Sequence, residues 1–149
     1  MTLTIDPTVA DRHLCTFRVG ELLLGIDVLS VQEVLYHSEI TEVPHSPAAV
    51  TGLINLRGQI ATTIDLHVRF GTERPERRNG PVHVVVRHDG EPVSLLVDEI
   101  GDVMTVEGEI YEPPPETVSP QTRALISGAY KLDDELLLTL DVEQVIALS

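Results

Sequence analysis

One hundred and forty-nine residues, 42% of them hydrophobic, suffice for one ordinary domain or two very small ones and point to a globular chain. Twenty-four acidic side chains against ten basic ones leave a formal charge of −14, and aromatic residues make up only 3%. A nucleic-acid binder draws its affinity from Lys and Arg on phosphates and often from exposed rings, so both counts exclude that class. No apolar run approaches the roughly 18–20 residues that span a bilayer. The start, MTLTIDPTVADRHL, has neither a basic segment nor an apolar one, so no secretory signal is expected. Cys15 is the only cysteine, which rules out an internal disulfide and fits a cytoplasmic protein.

Residues 1–13 read as a polar lead-in. After them come short β-branched and Leu-rich runs separated by Gly or Pro: LCTFRV, LLLGIDV, VQEVLY, then LINL and QIATTIDLHVRF on either side of Arg57–Gly58. This spacing predicts an all-β barrel or sandwich with short helices rather than a βαβ sheet. Gly71–Pro81 is charged, rich in Gly and Pro, and reads as a linker. Strands resume with VHVVVRH and EPVSLLVDEI around an Asp89–Gly90 hairpin turn, then VMTV, a Pro113–Pro115 stretch, and ISGAYKLDDELLLTLDV. Ser before Pro in SPAAV and SPQTRALI predicts two short helices, and Val142–Leu148 a turn or two of a third.

The chain repeats itself. GLINLRGQIATTIDL (Gly52–Leu66) aligns without a gap on GAYKLDDELLLTLDV (Gly128–Val142), pairing Gly52 with Gly128, Thr63 with Thr139 and Asp65 with Asp141. Upstream, FRVGELLLGIDVLSVQEV and VVVRHDGEPVSLLVDEIGDV share a looser version of the same order. Chance likeness between β-hairpins is the competing explanation. Two units are predicted, residues 14–80 and 81–149. Each is too small to bury enough surface alone, so the two should share apolar surface and leave a groove between them. The first 80 residues hold ten acidic and seven basic side chains, the remaining 69 fourteen and three, so the acidity is concentrated in the second repeat.

Catalytic and metal-binding chemistry is hard to find. The six histidines show no ligand spacing and read as solvated loop residues. Cys15 lies in a strand-like run and reads as a buried, inert thiol. Asp98 and Glu99 are neighbours on a strand and point to opposite faces, and Asp133–Glu135 reads as turn chemistry. No enzyme, cofactor or metal is expected. Two polar residues stand out instead. Alternation in VQEVL places Val31, Glu33 and Leu35 on one face, with Gln32 and Val34 on the other. Arg57 tips a turn whose second residue, Gly58, suits φ > 0, and the second repeat has Asp133–Asp134 in that place. Arg57 is either an ordinary solvated turn residue or an interface anchor.

In combination, GIDVLSVQEV, GLINLRG and LVDEIGDV, in this order, resemble the CheW family of bacterial chemosensory coupling proteins over about residues 14–147. The resemblance implies two intertwined five-stranded SH3-like β-barrels and a non-catalytic adaptor. Its partners would be the regulatory domain of the histidine kinase CheA and the cytoplasmic tip of chemoreceptors, with recruitment to membrane-associated receptor arrays. It also implies a Glu33–Arg57 pair at a receptor-facing groove lined by Val31, Gly52, Ile100 and Val103, with Arg57 turned toward an acidic or amide-bearing receptor helix. A solvent-exposed pair of that kind would add only about 0–1 kcal/mol to stability. The chain departs from many members at Ala61–Thr63, where they carry Pro, and at Leu24, where they carry an aromatic residue. The same barrels in another pathway, such as type IV pilus motility, are the alternative.

Overall fold

The computed structural model describes residues 11–36, 38–72, 82–107 and 111–147. Most of the expected lead-in, the linker beyond Thr72, His37 and Leu148 lie outside the described residues. Strand β1 (Asp11–Val19) forms a hairpin with β2 (Leu22–Asp27), and a 3₁₀ turn at Val28–Ser30 leads into β3 (Val31–Leu35). A second hairpin, β4 (Val50–Leu56) and β5 (Gln59–Asp65), runs into helix α1 (Leu66–Phe70). The other half follows the same plan: β6 (Val82–His88), β7 (Glu91–Val97) and β8 (Glu99–Glu107), a two-residue β9 (Tyr111–Glu112), then α2 (Pro120–Arg123). It closes with the hairpin β10 (Ile126–Lys131) and β11 (Leu136–Leu140) and helix α3 (Val142–Ile146).

The repeat is real in three dimensions. Val50 faces Ile64 and Gly52 faces Thr63 across β4–β5, with a bulge between them. Ile126 faces Leu140 and Gly128 faces Thr139 across β10–β11, with the bulge in the same place. Each hairpin ends in an aspartate that caps the following helix: Asp65 accepts from the His67 N–H and Asp141 from the Gln144 N–H, as favoured capping residues do. At Gly52 the chain at Thr41 crosses β4 so closely that a Cβ would run into the Thr41 carbonyl. At Gly128, β9 crosses β10, and a Cβ would meet the Tyr111 ring and the Glu112 carbonyl. Both glycines are there because another backbone passes over them.

The two repeats exchange hairpins. One sheet has the order β8-β1-β2-β11-β10-β9 and the other β3-β6-β7-β5-β4. Each leading hairpin thus sits among the later strands of the other repeat, joined through the parallel pairs β2–β11 and β5–β7. A boundary between residues 80 and 81 therefore divides the repeats but not the sheets, and the acidity of the second repeat is spread over both. The expected five strands per sheet become six in the first, because the crossing at Gly128 is long enough to count as β9.

Five strands spaced about 4.8 Å apart would hold the edges of a flat sheet well apart. In the five-stranded sheet the edges are β3 and β4, yet Glu33 on β3 and Arg57 at the end of β4 lie 2.9 Å apart. The sheet curls back on itself, as the expected barrel does. One core serves both sheets. It joins Phe17, Val19, Leu24 and Ile26 from the first half to Val84, Val86, Leu95, Leu138 and Leu140 from the second. A smaller cluster of Leu14, Leu23, Val106, Tyr130 and Leu137 fills the six-stranded sheet.

Several expectations need correction. β1 begins at Asp11, inside the expected lead-in, because it pairs with β8 up to Glu107. LHVRF is helix rather than strand, since Asp65 caps it and Gly71, at φ 71°, ends it. SPAAV is a turn and not a helix; the Val50 N–H reaches the Pro47 carbonyl, and β4 starts at once. SPQTR is helical, with Ser119 as its cap, and so is the segment after Asp141.

Candidate functional site

The site begins with a bulge. Strict alternation would put Val31 and Val34 on opposite faces, but the β3–β6 register slips between Val31 and Glu33. Val31 and Val34 consequently both pack on the core. A bulge re-aims the side chain beside it, and Glu33 is the residue re-aimed. Arg57 comes from the other edge of the sheet. It occupies the first position of a two-residue turn with φ 53°, followed by Gly58 at φ 90°, the type I′ geometry that suits the twist of a hairpin. The Asn55 side chain accepts from the Gly58 N–H and fixes the turn.

The pair is unequal. Arg57 Nη2 donates to Glu33 Oε2 at 2.9 Å, with the Arg57 side chain 78% exposed and that of Glu33 only 15%. Glu33 Oε1 is fully buried and has no hydrogen-bond partner among the described residues. The expected solvent-exposed ion pair is therefore half wrong: the cation is in water, but the carboxylate it neutralises is largely out of it. Three strongly exposed apolar side chains adjoin these elements in the chain. Leu29 precedes β3, Tyr36 follows it, and Ile60 follows the Arg57 turn. None was singled out in the sequence, where an outward-facing Leu or Ile looks the same as an inward-facing one.

Val31 and Gly52 share the Glu33–Arg57 sheet, Val31 partly buried on the core and Gly52 under Thr41. Ile100 and Val103 lie on β8, in the other sheet. Ile100 is packed on the core, and it lines a cleft of about 240 Å³ together with Arg18, Leu23, Glu99, Asp102, Met104, Leu132 and Glu135. Val103 is 58% exposed. The cleft is walled by β1 and β2 from one repeat and by β8 and the β10–β11 turn from the other. Its place is inside one sheet.

The histidines also differ from expectation. His67 and His83 are buried, not solvated. His67 Nε2 lies 2.7 Å from Asp98 Oδ1 and its Nδ1 2.7 Å from Thr72 Oγ1, while Asp98 Oδ2 accepts from the Gly20 N–H at 2.6 Å. These contacts join α1 to the β1–β2 turn and to the link between β7 and β8, so they tie the two sheets together. His83 bonds Ser94 across β6–β7, and its burial pushes its pKa down. Cys15 is buried as expected, and burial pushes its thiol pKa up.

Two sheets that exchange hairpins over one core, one of them curled until an ion pair spans its edges, define a fold of the paired-barrel kind. The comparisons with known proteins agree. The CheW-like domain family model matches residues 13–149. A probable chemotaxis protein CheW of Rhizobium etli is 35% identical over 133 residues, covering 89% of this chain and 86% of its own. The chemotaxis protein CheW of Rhizobium meliloti is 30% identical over 138 residues, 93% of this chain and 89% of its own. The crystal structure of the scaffolding protein TtCheW from Thermoanaerobacter tengcongensis superposes with a TM-score of 0.84 at 29% identity, covering 94% of this chain and 95% of that one. The chain belongs to the CheW family of chemotaxis adaptors.

Proposed function

We propose that this chain couples chemoreceptors to a CheA-type histidine kinase as a non-catalytic adaptor, cytoplasmic and recruited to receptor arrays at the membrane. The observation that carries the reading is the Glu33–Arg57 pair in a chain that matches the CheW-like model almost throughout. A carboxylate largely removed from water beneath a cation left in it holds the guanidinium in one orientation with most of its donors unused. Arg is a favoured anchor for such recognition because its planar fork presents several donors at once. Tyr36 and Ile60 provide apolar area close to the pair in sequence, as a helix-in-groove contact requires. Val31, Ile100 and Val103 complete the proposed receptor-facing surface, while Gly52, buried under Thr41, contributes to it only by letting that backbone pass. Each contact can be weak, since linked copies in an array raise the effective concentration.

Pull-down from a lysate containing CheA and receptors tests this. Wild-type protein is expected to recover both. Arg57→Glu is expected to keep CheA, which also reports that the variant is folded, and to lose receptor. Recovery of neither partner by the wild type overturns the reading.

A further inference from the structure

The two repeats handle the same gap in opposite ways. In the five-stranded sheet, β3 and the β4–β5 turn are bridged by Glu33 and Arg57. The equivalent places in the six-stranded sheet are β8 and the β10–β11 turn, where Leu132 bonds Glu135 around Asp133–Asp134. By register, Ile100 stands where Val31 stands, opposite Phe17 as Val31 is opposite Val86, so Asp102 takes the place of Glu33. Asp133 takes the place of Arg57. Two carboxylates cannot bridge this gap, and a cleft of about 240 Å³ is open there.

Its lining is specific. Leu23, Ile100, Met104 and Leu132 form an apolar floor at the end of the smaller core cluster. Glu99, Asp102 and Glu135 stand around it with a single cation, Arg18. Arg18 is already committed: it holds Glu135 through two bonds, of 2.8 and 3.2 Å, and approaches Glu99 only at 3.9 Å. The Asp102 carboxylate has no ion-pair partner among the described residues.

We propose that this cleft is a second docking site, which accepts an arginine side chain of a partner protein flanked by aliphatic residues. The guanidinium would lie beside Asp102 and Glu99, and its aliphatic stem and neighbours would cover the apolar floor. Charge complementarity selects the occupant: the lining carries three carboxylates to one cation, and the matching place in the other sheet is filled by an arginine on a carboxylate. A planar, multiply donating cation suits two nearby carboxylates better than an ammonium does. The cleft lies in the other sheet from the Glu33–Arg57 pair and shares only Ile100 with the proposed receptor-facing surface, and its test uses neither receptor nor CheA.

The probes are two peptides, acetyl-Ala-Leu-Arg-Leu-Ala-amide and its citrulline counterpart, which keeps the shape and loses the charge. They are titrated into the full chain and followed by backbone amide NMR. The arginine peptide is expected to bind at least about tenfold more tightly than the citrulline peptide, shifting amides of Glu99–Met104 and Leu132–Glu135. Asp102→Arg and Asp133→Arg each supply the missing cation from within and are expected to weaken binding about tenfold, while Glu42→Gln, at an exposed carboxylate outside the cleft lining, leaves it unchanged. Equal binding of the two peptides overturns the proposal, as do shifts scattered over the acidic surface or full binding by both Arg variants. Self-association of the protein alone that Arg57→Glu abolishes and the arginine peptide displaces would assign the cleft to a second copy instead, and would equally overturn it.

Discussion

The Arg57–Gly58 turn and the Asp133–Asp134 turn hold the same position in the two repeats, and their surroundings have diverged around that position. The first is locked to the opposite edge of its sheet by Glu33. The second borders an open cleft through its flanking residues Leu132 and Glu135, with Asp102 also in the lining, and Glu135 reaches back to Arg18 on β1. The same divergence recurs elsewhere. Asp98, held in the His67 network, corresponds to Leu29, the most exposed large apolar residue among those described. His83, buried on β6, corresponds to Leu14, buried on β1. Duplication thus preserved the backbone plan and its glycines while freeing side chains at equivalent places for different work, with polar stapling on one side and exposed contact surface on the other.

The comparison can be broken most forcefully where the repeats agree. Gly52→Ala and Gly128→Ala are each expected to cost more than about 2 kcal/mol in urea unfolding, because each puts a Cβ into passing backbone. If either is neutral, the shared crossing is not what keeps the glycine.

Where the repeats differ, the effects should be smaller and one-sided. His67→Ala removes a donor from the largely buried Asp98 carboxylate and is expected to cost about 1–3 kcal/mol. Glu143→Ala, at the corresponding place on the exposed end of α3, should fall within about 0.5 kcal/mol. Similar losses for the two would remove the case for a one-sided staple.

A pH series should sharpen the contrast further. Burial depresses the His83 pKa below its ordinary 6.5, so the native state binds fewer protons than the unfolded chain just below that pH. Stability is then complete above pH 6.5 and falls as the pH drops through the region beneath it. His83→Leu, which copies Leu14 of the other sheet, should flatten that part of the curve. In the carboxylate range, hydrogen bonds from Arg18 hold Glu135 below its ordinary 4.5, so the stability they add is present above that pH and fades as the pH falls through the lowered value. Both partners of that pair are more than a third exposed, so this contribution should be the smallest and should diminish further in high salt.

The strands were legible because each hairpin carries its own punctuation in Gly20, Gly58, Asp89–Gly90 and Asp133–Asp134. Which hairpin pairs with which was not. Both repeats present similar apolar edges, and nothing in a strand pattern says whether β2 will lie beside β5 or β11. Helix α1 was missed because five residues are too few for a period, and its only strong signal, the Asp65 cap, also reads as the end of a strand. Glu33 and Arg57 could be singled out but not measured, since the bulge that re-aims Glu33 is a property of β3 against β6. The burial of His67 was invisible because its carboxylate partner lies 31 residues away, across the junction of the sheets.

The exchange of hairpins also bears on how the chain acquires its structure. When residues 1–80 have left the ribosome, β1–β2 and β3–β5 are both present but belong to different sheets, and neither can be completed from what has been made. Contacts decisive for either barrel wait for residues 82–140, a delay that non-local pairing makes slow and exposes to misassembly. Two halves supplied as separate polypeptides should each remain largely unstructured and fold only on meeting, which would make this chain a ready-made split-protein sensor. The same geometry permits two full-length molecules to trade halves at high concentration, giving a swapped dimer in which every native pairing is kept.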